Sequence, residues 1–437
     1  MNLLKKTFSL FLLLLSIILL VYTFYRSEIY WDGSKRDYYF VYYSLSLTLL
    51  FLSFISFFIS YKVKEYIIIA FSSLLISLYF FEGYLTYNLI YSEIISQKKK
   101  IYENKTGKKF DTRTQLEVYK DLKKKENNVS VKLSPLNWLG NNHKYLPLSS
   151  VSNSKTVYGN ENGYYFIYLS DRYGFNNPDE EWDAKEIEYL LIGDSFVNGE
   201  NVNRPNDISS VLRNVSSKSV LNLGYSGNGP LIQYASLREY LNPNVKKVLW
   251  FYYEDNDFID LEQEMKNNIL MNYLNDPTFS QNLKFKQKEI DNMVNKLINL
   301  GREGEENYKF VKLYETRSKI FNKKKEKNIN EKIQPEEFKK IIKLANELIV
   351  RNNSKLYFIY LPGYHRYTTN SDNRNYNSVK KTIKELGIPF IDINKEVFLK
   401  QKKPLELFPF EMRGHYNVKG YKLVTEKIYS IIKNLDE

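Results

Sequence analysis

The sequence predicts an α/β protein, a parallel sheet covered by helices on both faces, carried behind three membrane-spanning helices. Three observations predict it. The first ninety residues hold three uncharged or nearly uncharged apolar runs, each about the ~20 residues a helix needs to cross a bilayer. From about Lys185 onward, short apolar runs alternate with helical patterns, as they do in doubly wound folds. Polar residues able to do chemistry fall just after those runs, at the strand ends where open α/β sheets bind ligands.

The first apolar run, Phe8 to Tyr25, follows Lys5 and Lys6. The second extends from Tyr38 to Tyr61, and the third from Tyr66 to about Leu89 with Glu82 as its one acidic residue. The first alone resembles a signal peptide, but it lacks a small-residue cleavage site and two more runs follow. Residues 1–92 are therefore expected to be a retained, multi-pass anchor. The basic start favours a cytoplasmic N-terminus, which places the rest of the chain outside the cytoplasm. Lys98, Lys99 and Lys100 after the third run, and Arg26, Lys35 and Arg36 in the first loop, oppose that orientation under the positive-inside rule. The extracytoplasmic placement is the expectation.

Residues 93–184 read as a linker and mixed accessory segment. A basic helical stretch leads into aromatic-rich sequence, where Asn162–Phe175 alternates as short strands or a hairpin would. Residues 185–437 carry the sheet. Its strands are expected in Ile187–Asp194, Ser219–Tyr225, Lys246–Tyr253, Lys355–Pro362 and Pro389–Ile393, short apolar runs of the kind buried on both faces of a parallel sheet. Helices are expected over Asp207–Val215, Pro230–Leu241, Pro335–Arg351 and Asn377–Leu386. A charged insertion, residues 260–332, should be helical and serve as a lid, a partner surface or a solvated appendage.

Composition narrows the function. At 437 residues the chain exceeds one ordinary domain, and 43% hydrophobic with 16% aromatic content is ample for a core. The net charge of +13 comes from 63 Lys+Arg against 50 Asp+Glu, dispersed without a nucleic-acid motif. Such a balance can serve an anionic membrane surface or an acidic polymer; the plainer reading is that Lys, Asn, Ile and Tyr are favoured throughout this sequence. The absence of cysteine excludes thiolate catalysis, Cys-based zinc sites and iron–sulfur clusters. With histidine only at positions 143, 365 and 415, a His-rich metal site is not expected, nor is any cofactor.

The chemistry lies at the strand ends. The first strand stops at Gly193-Asp194-Ser195-Phe196, the second at Asn222 to Gly229, the third at Glu254 to Asp257, and His415 precedes the last helix. A serine hydroxyl is a poor nucleophile until a base takes its proton, and imidazole suits that task near neutral pH. Ser195 and His415 supply the pair. Singly, each residue has a plainer role: Ser195 as a helix cap, Gly227 as a turn glycine, Asn256 as a turn residue. Together and in order they point to catalysis.

The four blocks GDSF (193–196), NLGYSGNG (222–229), YYEDND (252–257) and GHYNVKGYKLV (414–424) resemble those of the GDSL/SGNH hydrolases. The resemblance covers about 250 residues. It implies a flavodoxin-like three-layer α/β/α fold and ester hydrolysis or acyl transfer, often on carbohydrates. It also implies oxyanion donors at the Ser195 and Gly227 backbone amides and the Asn256 side chain. The family places an aspartate three residues before its histidine. Here that position is Met412, so Glu411 is expected to orient His415, with a Ser–His dyad as the alternative. Tyr364, Arg366 and Tyr225 are candidates to line a sugar site, and His365 to face the cleft.

The resulting expectation is a membrane-anchored serine esterase or O-acetyltransferase acting on an envelope glycan. Transfer would need a membrane partner or another donor of the acyl group. The competing expectation is a catalytically silent, membrane-tethered glycan-binding or assembly protein of the same fold.

Overall fold

The structure is a computed structural model that describes residues 2–31, 33, 36–90, 93–139, 143–302, 310–322, 335–368 and 374–437. The chain divides into two compact units. One comprises Met1–Ser92, Gly140–Asn142 and Gly304–Asn330; the other comprises Glu93–Leu139, His143–Glu303 and Glu331–Glu437.

The first unit is built on α1 (Asn2–Phe24), α2 (Arg36–Ser56) and α3 (Tyr61–Ile90). Three stretches, Thr7–Tyr30, Arg36–Ser56 and Tyr61–Tyr87, are long and apolar enough to cross a membrane. Where α1 and α2 meet, the buried residues are small hydroxyls: Ser9, Ser16 and Thr23 on one helix, Ser46, Ser53 and Ser56 on the other. Ser9, Ser16 and Thr23 step by seven, as do Ser46 and Ser53, keeping one face small so that two backbones approach closely, the usual device between helices in lipid. The Ser9 hydroxyl donates to the Ser56 carbonyl at 3.0 Å, while large apolar side chains such as Phe11, Ile18, Phe51 and Phe54 are exposed on the outer faces.

The second unit begins with α4 (Glu93–Thr106) and α5 (Gln115–Lys123). Thr114 and Glu117 close a reciprocal capping box at the start of α5. A small sheet follows: β1 (Val129–Val131), β2 (Lys155–Val157) and β3 (Ile167–Leu169), with β2 parallel to β1 and antiparallel to β3. Of the alternating stretch Asn162–Phe175, only β3 is a strand. Much of the rest is shaped by side chains, notably the buried Asp171 carboxylate, which accepts from the Tyr173 and Phe175 amides, Asn177 and Trp182.

The main sheet consists of β4 (Ile187–Ile192), β5 (Val220–Asn222), β6 (Val245–Tyr253), β7 (Lys355–Leu361) and β8 (Phe390–Asp392). Its order is β5-β4-β6-β7-β8, and every neighbouring pair is parallel. Between and after the strands run α6 (Ser195–Asn198), α7 (Ile208–Ser216), α8 (Pro230–Tyr240), α9 (Asp257–Glu264), α10 (Asn268–Asn275), α11 (Gln287–Arg302), α12 (Tyr314–Asn322), α13 (Pro335–Arg351), α14 (Arg374–Glu385), α15 (Ile393–Glu396) and α16 (Val418–Asp436). Side-chain alternation separates two cores. Leu190, Ile192, Val248, Trp250 and Phe358 pack with α8, α13 and α14. Tyr189, Leu191, Leu249, Phe251 and Ile359 pack with α7 and α16. This is the expected three-layer α/β/α arrangement. Because β5 and β6 lie on opposite sides of β4, the carboxyl end of β4 is the topological switch point, where such sheets form a crevice.

The insertion at 260–332 is not one body. α9, α10 and α11 belong to the second unit, and α10 and α11 bury Leu270, Leu274, Ile290 and Val294 in the core shared with α8. α12 belongs to the first unit. There the buried Glu82 carboxylate of α3 accepts from the Glu315 and Thr316 amides at 3.0 and 2.8 Å and from the Thr316 hydroxyl at 2.7 Å. Tyr79 donates to the Val311 carbonyl, and Arg317 donates to the Tyr42 hydroxyl. The one acid of the third apolar run thus caps α12, satisfying amides that a helix start leaves without partners.

Candidate functional site

The turn after β4 is shaped by glycines. A Cβ on Gly193 would lie 2.3 Å from Val197, and one on Gly224 would lie 2.5 Å from the same side chain. The β5 loop can therefore close on α6 only with glycine at both places. Asp194 caps α6, its carboxylate accepting from the Phe196 amide at 2.9 Å, and this projects Ser195 from the end of β4.

His415 arrives from the far end of the chain. Asn417 caps α16 by accepting from the Gly420 amide at 3.0 Å, and the buried Tyr416 hydroxyl donates to the Pro362 carbonyl at 2.7 Å. Between these anchors the imidazole is half-buried. Its Nε2 lies 2.8 Å from Ser195 Oγ. Its Nδ1 lies 3.2 Å from both Glu161 oxygens and 3.1 Å from the Asn201 amide nitrogen. A carboxylate can only accept, so it selects the tautomer with the proton on Nδ1 and leaves the Nε2 lone pair facing the serine.

The acid at the ring is therefore Glu161, not Glu411. Glu161 also accepts from the His415 backbone amide at 2.7 Å. The approach is close: a Cβ on Gly414 would fall 2.7 Å from the Glu161 carboxylate. The turn carrying Glu161 is tied on every side. Asn160 donates to the Asp111 carbonyl, the Gly163 amide donates to the Asn160 side chain, and Asn162 donates to the Asn201 carbonyl. Gly163 has φ +91°, and a Cβ there would meet the Tyr102 ring of α4 at 2.4 Å. Glu411, by contrast, is exposed, in a turn whose backbone is left-handed at both Phe410 and Glu411. That turn directs the Phe410 ring towards Tyr102 and Phe110, and the Glu411 carbonyl accepts from the Tyr364 hydroxyl.

Sequence reasoning missed Glu161 because it stands 254 positions from His415. The one local signal is its place in the polar turn Asn160-Glu161-Asn162-Gly163, between aromatic segments. The vacant acid position at Met412 said only that a carboxylate, if used, comes from elsewhere.

The loops assigned to the oxyanion are held from α9. Gly227 has φ +79°, and a Cβ on it would meet the Ser134 hydroxyl at 2.3 Å. Glu264 accepts from the Gly229 and Leu231 amides at 2.6 and 2.9 Å. Asn256 donates its amide to Asp260 at 2.7 Å, which engages one of its two N–H groups. Burial, aided by the Asp260 charge, pushes Glu264 up to about 8; burial and the Asp194 charge push Asp260 up to about 7. Of the proposed sugar-site residues, Tyr225 is fully buried. Arg366 is paired with Glu254, its Nε lying 2.9 and 3.1 Å from the two carboxylate oxygens. Neither is available to a ligand in this arrangement. Tyr364 and His365 occupy a half-buried turn after β7. Among the described residues no group of three or more His, Asp or Glu could hold a metal ion.

Electrostatics make His415 a strong base. Burial pulls its pKa down, but the charges of Glu161 and Glu200, the hydrogen bond to Glu161 and the Asp194 charge outweigh it and leave it at about 9. Glu161 is held below its ordinary value, since burial is outweighed by the imidazole and the His415 amide, with help from Lys98. Asp194 is raised to about 6, chiefly by burial. A base must be neutral to accept a proton, so kcat/KM for ester cleavage is expected to rise with pH through an inflection near 9. Stability runs the other way. A folded pKa above the unfolded one stabilises fully below pH about 6.5, and that contribution is lost as pH rises through about 9. A flat rate profile between pH 6 and 9 would contradict this charge arrangement.

No protein-family model matches the chain, and no curated protein sequence matches it. Solved structures do. A structure described as a lipolytic protein of the G-D-S-L family, from Desulfitobacterium hafniense, is 17% identical, with a TM-score of 0.34, over 56% of this chain and 99% of that one. The acetyl xylan esterase AlAXEase is 14% identical, with a TM-score of 0.33, over 56% of this chain and all of that one. The esterase EstA from a Pseudoalteromonas species is 12% identical, with a TM-score of 0.28, over 58% of this chain and all of that one.

Proposed function

We propose that this chain is a membrane-anchored serine esterase or O-acyltransferase acting on acyl esters of an envelope glycan, with Ser195 as nucleophile. The observation that carries the reading is one hydrogen-bonded series: Ser195 Oγ at 2.8 Å from His415 Nε2, with Glu161 at 3.2 Å from Nδ1. In the first half-reaction the Ser195 proton passes to Nε2 as Oγ bonds to the ester carbonyl carbon. The tetrahedral intermediate collapses, the C–O bond to the alcohol breaks, and the alcohol leaves with the proton from Nε2. The acyl group then rests on Ser195. In the second half, Nε2 takes a proton from water or from an acceptor hydroxyl as its oxygen attacks the acyl carbon; the bond from that carbon to Ser195 Oγ then breaks, and Oγ leaves with the proton from Nε2, restoring the serine and the neutral ring. Which acceptor arrives decides between hydrolysis and transfer. Through both halves Glu161 holds the ring and offsets the imidazolium charge.

The oxyanion duty is assigned to the backbone amides of Ser195 and Gly227 and the remaining N–H of Asn256, on the motif resemblance. The silent binding-protein reading rested on the missing acid at position 412 and on the large insertion; the Glu161 carboxylate beside the ring speaks against the first of these. The reading puts the catalytic unit outside the cytoplasm; three candidate spans and the Lys5-Lys6 start support it, against the basic residues at 98–100 and in the first loop. Two measurements test the whole. Full-length protein in detergent, given a panel of O-acetylated glycans, should release acetate or pass acetyl to an added acceptor. A reporter joined after the third span should be active outside the cytoplasm. Inertness on every ester offered would overturn the chemistry, and a reporter active only inside would remove envelope glycans as substrates.

A further inference from the structure

We propose that Glu200 is a second counter-ion of the catalytic imidazole, a positioning residue on the Nε2 side whose influence is set by an ion pair with Lys132. The proposal rests on the reading of Ser195 and His415 given above.

Glu200 is placed by the same turn that presents the nucleophile. Its backbone amide donates to the Ser195 carbonyl at 3.0 Å. Gly199 before it is left-handed, φ +78°, and a Cβ there would collide with Asp207 at 2.4 Å. The Glu200 carbonyl accepts from the buried Tyr421 hydroxyl of α16. The backbone of Glu200 is thus fixed relative to Ser195 across a six-residue turn.

Its two oxygens have different surroundings. Oε1 is 2.7 Å from the Lys132 ammonium. Oε2 is sealed from solvent, accepts no hydrogen bond, and lies 4.0 Å from His415 Nε2. A buried carboxylate oxygen without a donor is strongly unfavourable unless a charge compensates it. The compensating charge within reach is the imidazolium, the form the ring holds below pH about 9 and regains in turnover when the serine proton reaches Nε2. Glu161 faces the opposite nitrogen, so two carboxylates flank the ring. Lys132, leaving the end of β1 with its ammonium 5.2 Å from the Tyr158 ring centre, tempers one of them.

The charged groups that act on the ring from the surrounding elements are Glu161 from the accessory turn, Glu200 from the α6–α7 loop and Asp194 from the end of β4. Lys132 acts through Glu200, and Lys98 of α4 acts through Glu161. Glu161, Glu200, Lys132 and a protonated His415 sum to zero, whereas a neutral ring leaves one negative charge in excess. Proton transfer from Ser195 to the ring therefore neutralises the site around the developing oxyanion.

The two members of the pair make opposite predictions. In full-length protein with p-nitrophenyl acetate as probe, Glu200→Gln should lower the acid inflection of kcat/KM by about one pH unit. It should also lower the plateau kcat about tenfold with little change in KM. Lys132→Met should raise the inflection, because it leaves Glu200 uncompensated. Glu200→Asp, which keeps the charge, should restore much of the parent profile. A residue that merely supports packing would not move the two limbs in opposite directions. The His415 ring can also be titrated directly by NMR of 13C-labelled histidine, since only three histidines are present, and this works whether or not the probe is turned over. Lower ring pKa in Glu200→Gln and higher in Lys132→Met supports the proposal even if ester turnover proves independent of Ser195. An unmoved ring, or shifts of the same sign in both variants, overturns it.

Discussion

Ser195→Ala is expected to remove ester turnover by at least about four orders of magnitude, as loss of a covalent nucleophile does when base and orienting acid remain. The fold should survive. Among the described residues the Ser195 hydroxyl bonds only to His415 Nε2 and, weakly at 3.4 Å, to the Asp194 carboxylate. The cap that forms the turn, Asp194 to the Phe196 amide, does not involve the side chain at 195. Turnover of p-nitrophenyl acetate and labelling by a fluorophosphonate should vanish together, while the melting temperature stays within a few degrees of the parent. The neighbouring carboxylates sharpen the test. If Glu200 or Asp194 activated water directly, the alanine variant would keep hydrolytic activity, and turnover within tenfold of the parent would rule out the acyl-enzyme route.

The strands and the nucleophile turn were readable from sequence because their constraints are local. A strand buried on both faces must be an apolar run, so Ile187–Ile192, Val245–Tyr253 and Lys355–Leu361 stand out with boundaries nearly right. Helices α7, α8, α13 and α14 show apolar residues at helical spacing next to caps and turns, and their ends shift by at most three residues from expectation. Ser195 and His415 were legible because each sits in a block whose glycines and caps enforce its geometry. Gly193 and Gly224 make room for Val197, and Asn417 starts α16.

The illegible parts are those fixed by contacts between distant positions. The accessory segment has strands of only three residues, and its shape comes from single buried groups such as Asp171, which propensity does not reveal. Far from being a linker, it delivers Glu161 and Lys132 to the site and sets Ser134 against Gly227. The insertion read as helical because Lys, Asn and Glu recur through much of it. Its division follows from apolar residues such as Leu270 and Ile290 that join the core, and from contacts to the first unit, among them Glu82, whose carboxylate in an apolar helix requires donors and finds them at the start of α12.

Glu161→Gln is expected to lower kcat by two to four orders of magnitude, the upper end being the effect of neutralising the orienting acid in a serine protease. The amide keeps nearly the same shape and can still place an oxygen near Nδ1, so substrate binding and KM should change little. What is lost is charge, and with it the preference for the tautomer that exposes the Nε2 lone pair. The acid inflection of the rate should also fall from near 9, because Glu161 is the largest of the influences that raise the imidazole. Glu411→Gln should leave both quantities within about threefold of the parent, since that side chain is exposed and surface carboxylates act weakly through solvent. Gly414→Ala offers a third comparison. Its methyl would press on the Glu161 carboxylate from 2.7 Å and should reproduce part of the Glu161→Gln loss without altering any charge. If instead Glu411→Gln costs a hundredfold and Glu161→Gln stays within threefold, the orienting role belongs to Glu411, and the turn at 409–411 must rearrange when substrate binds. If neither costs more than threefold, Ser195 and His415 act as a dyad, and the Glu161 contact serves to anchor the accessory segment rather than the reaction.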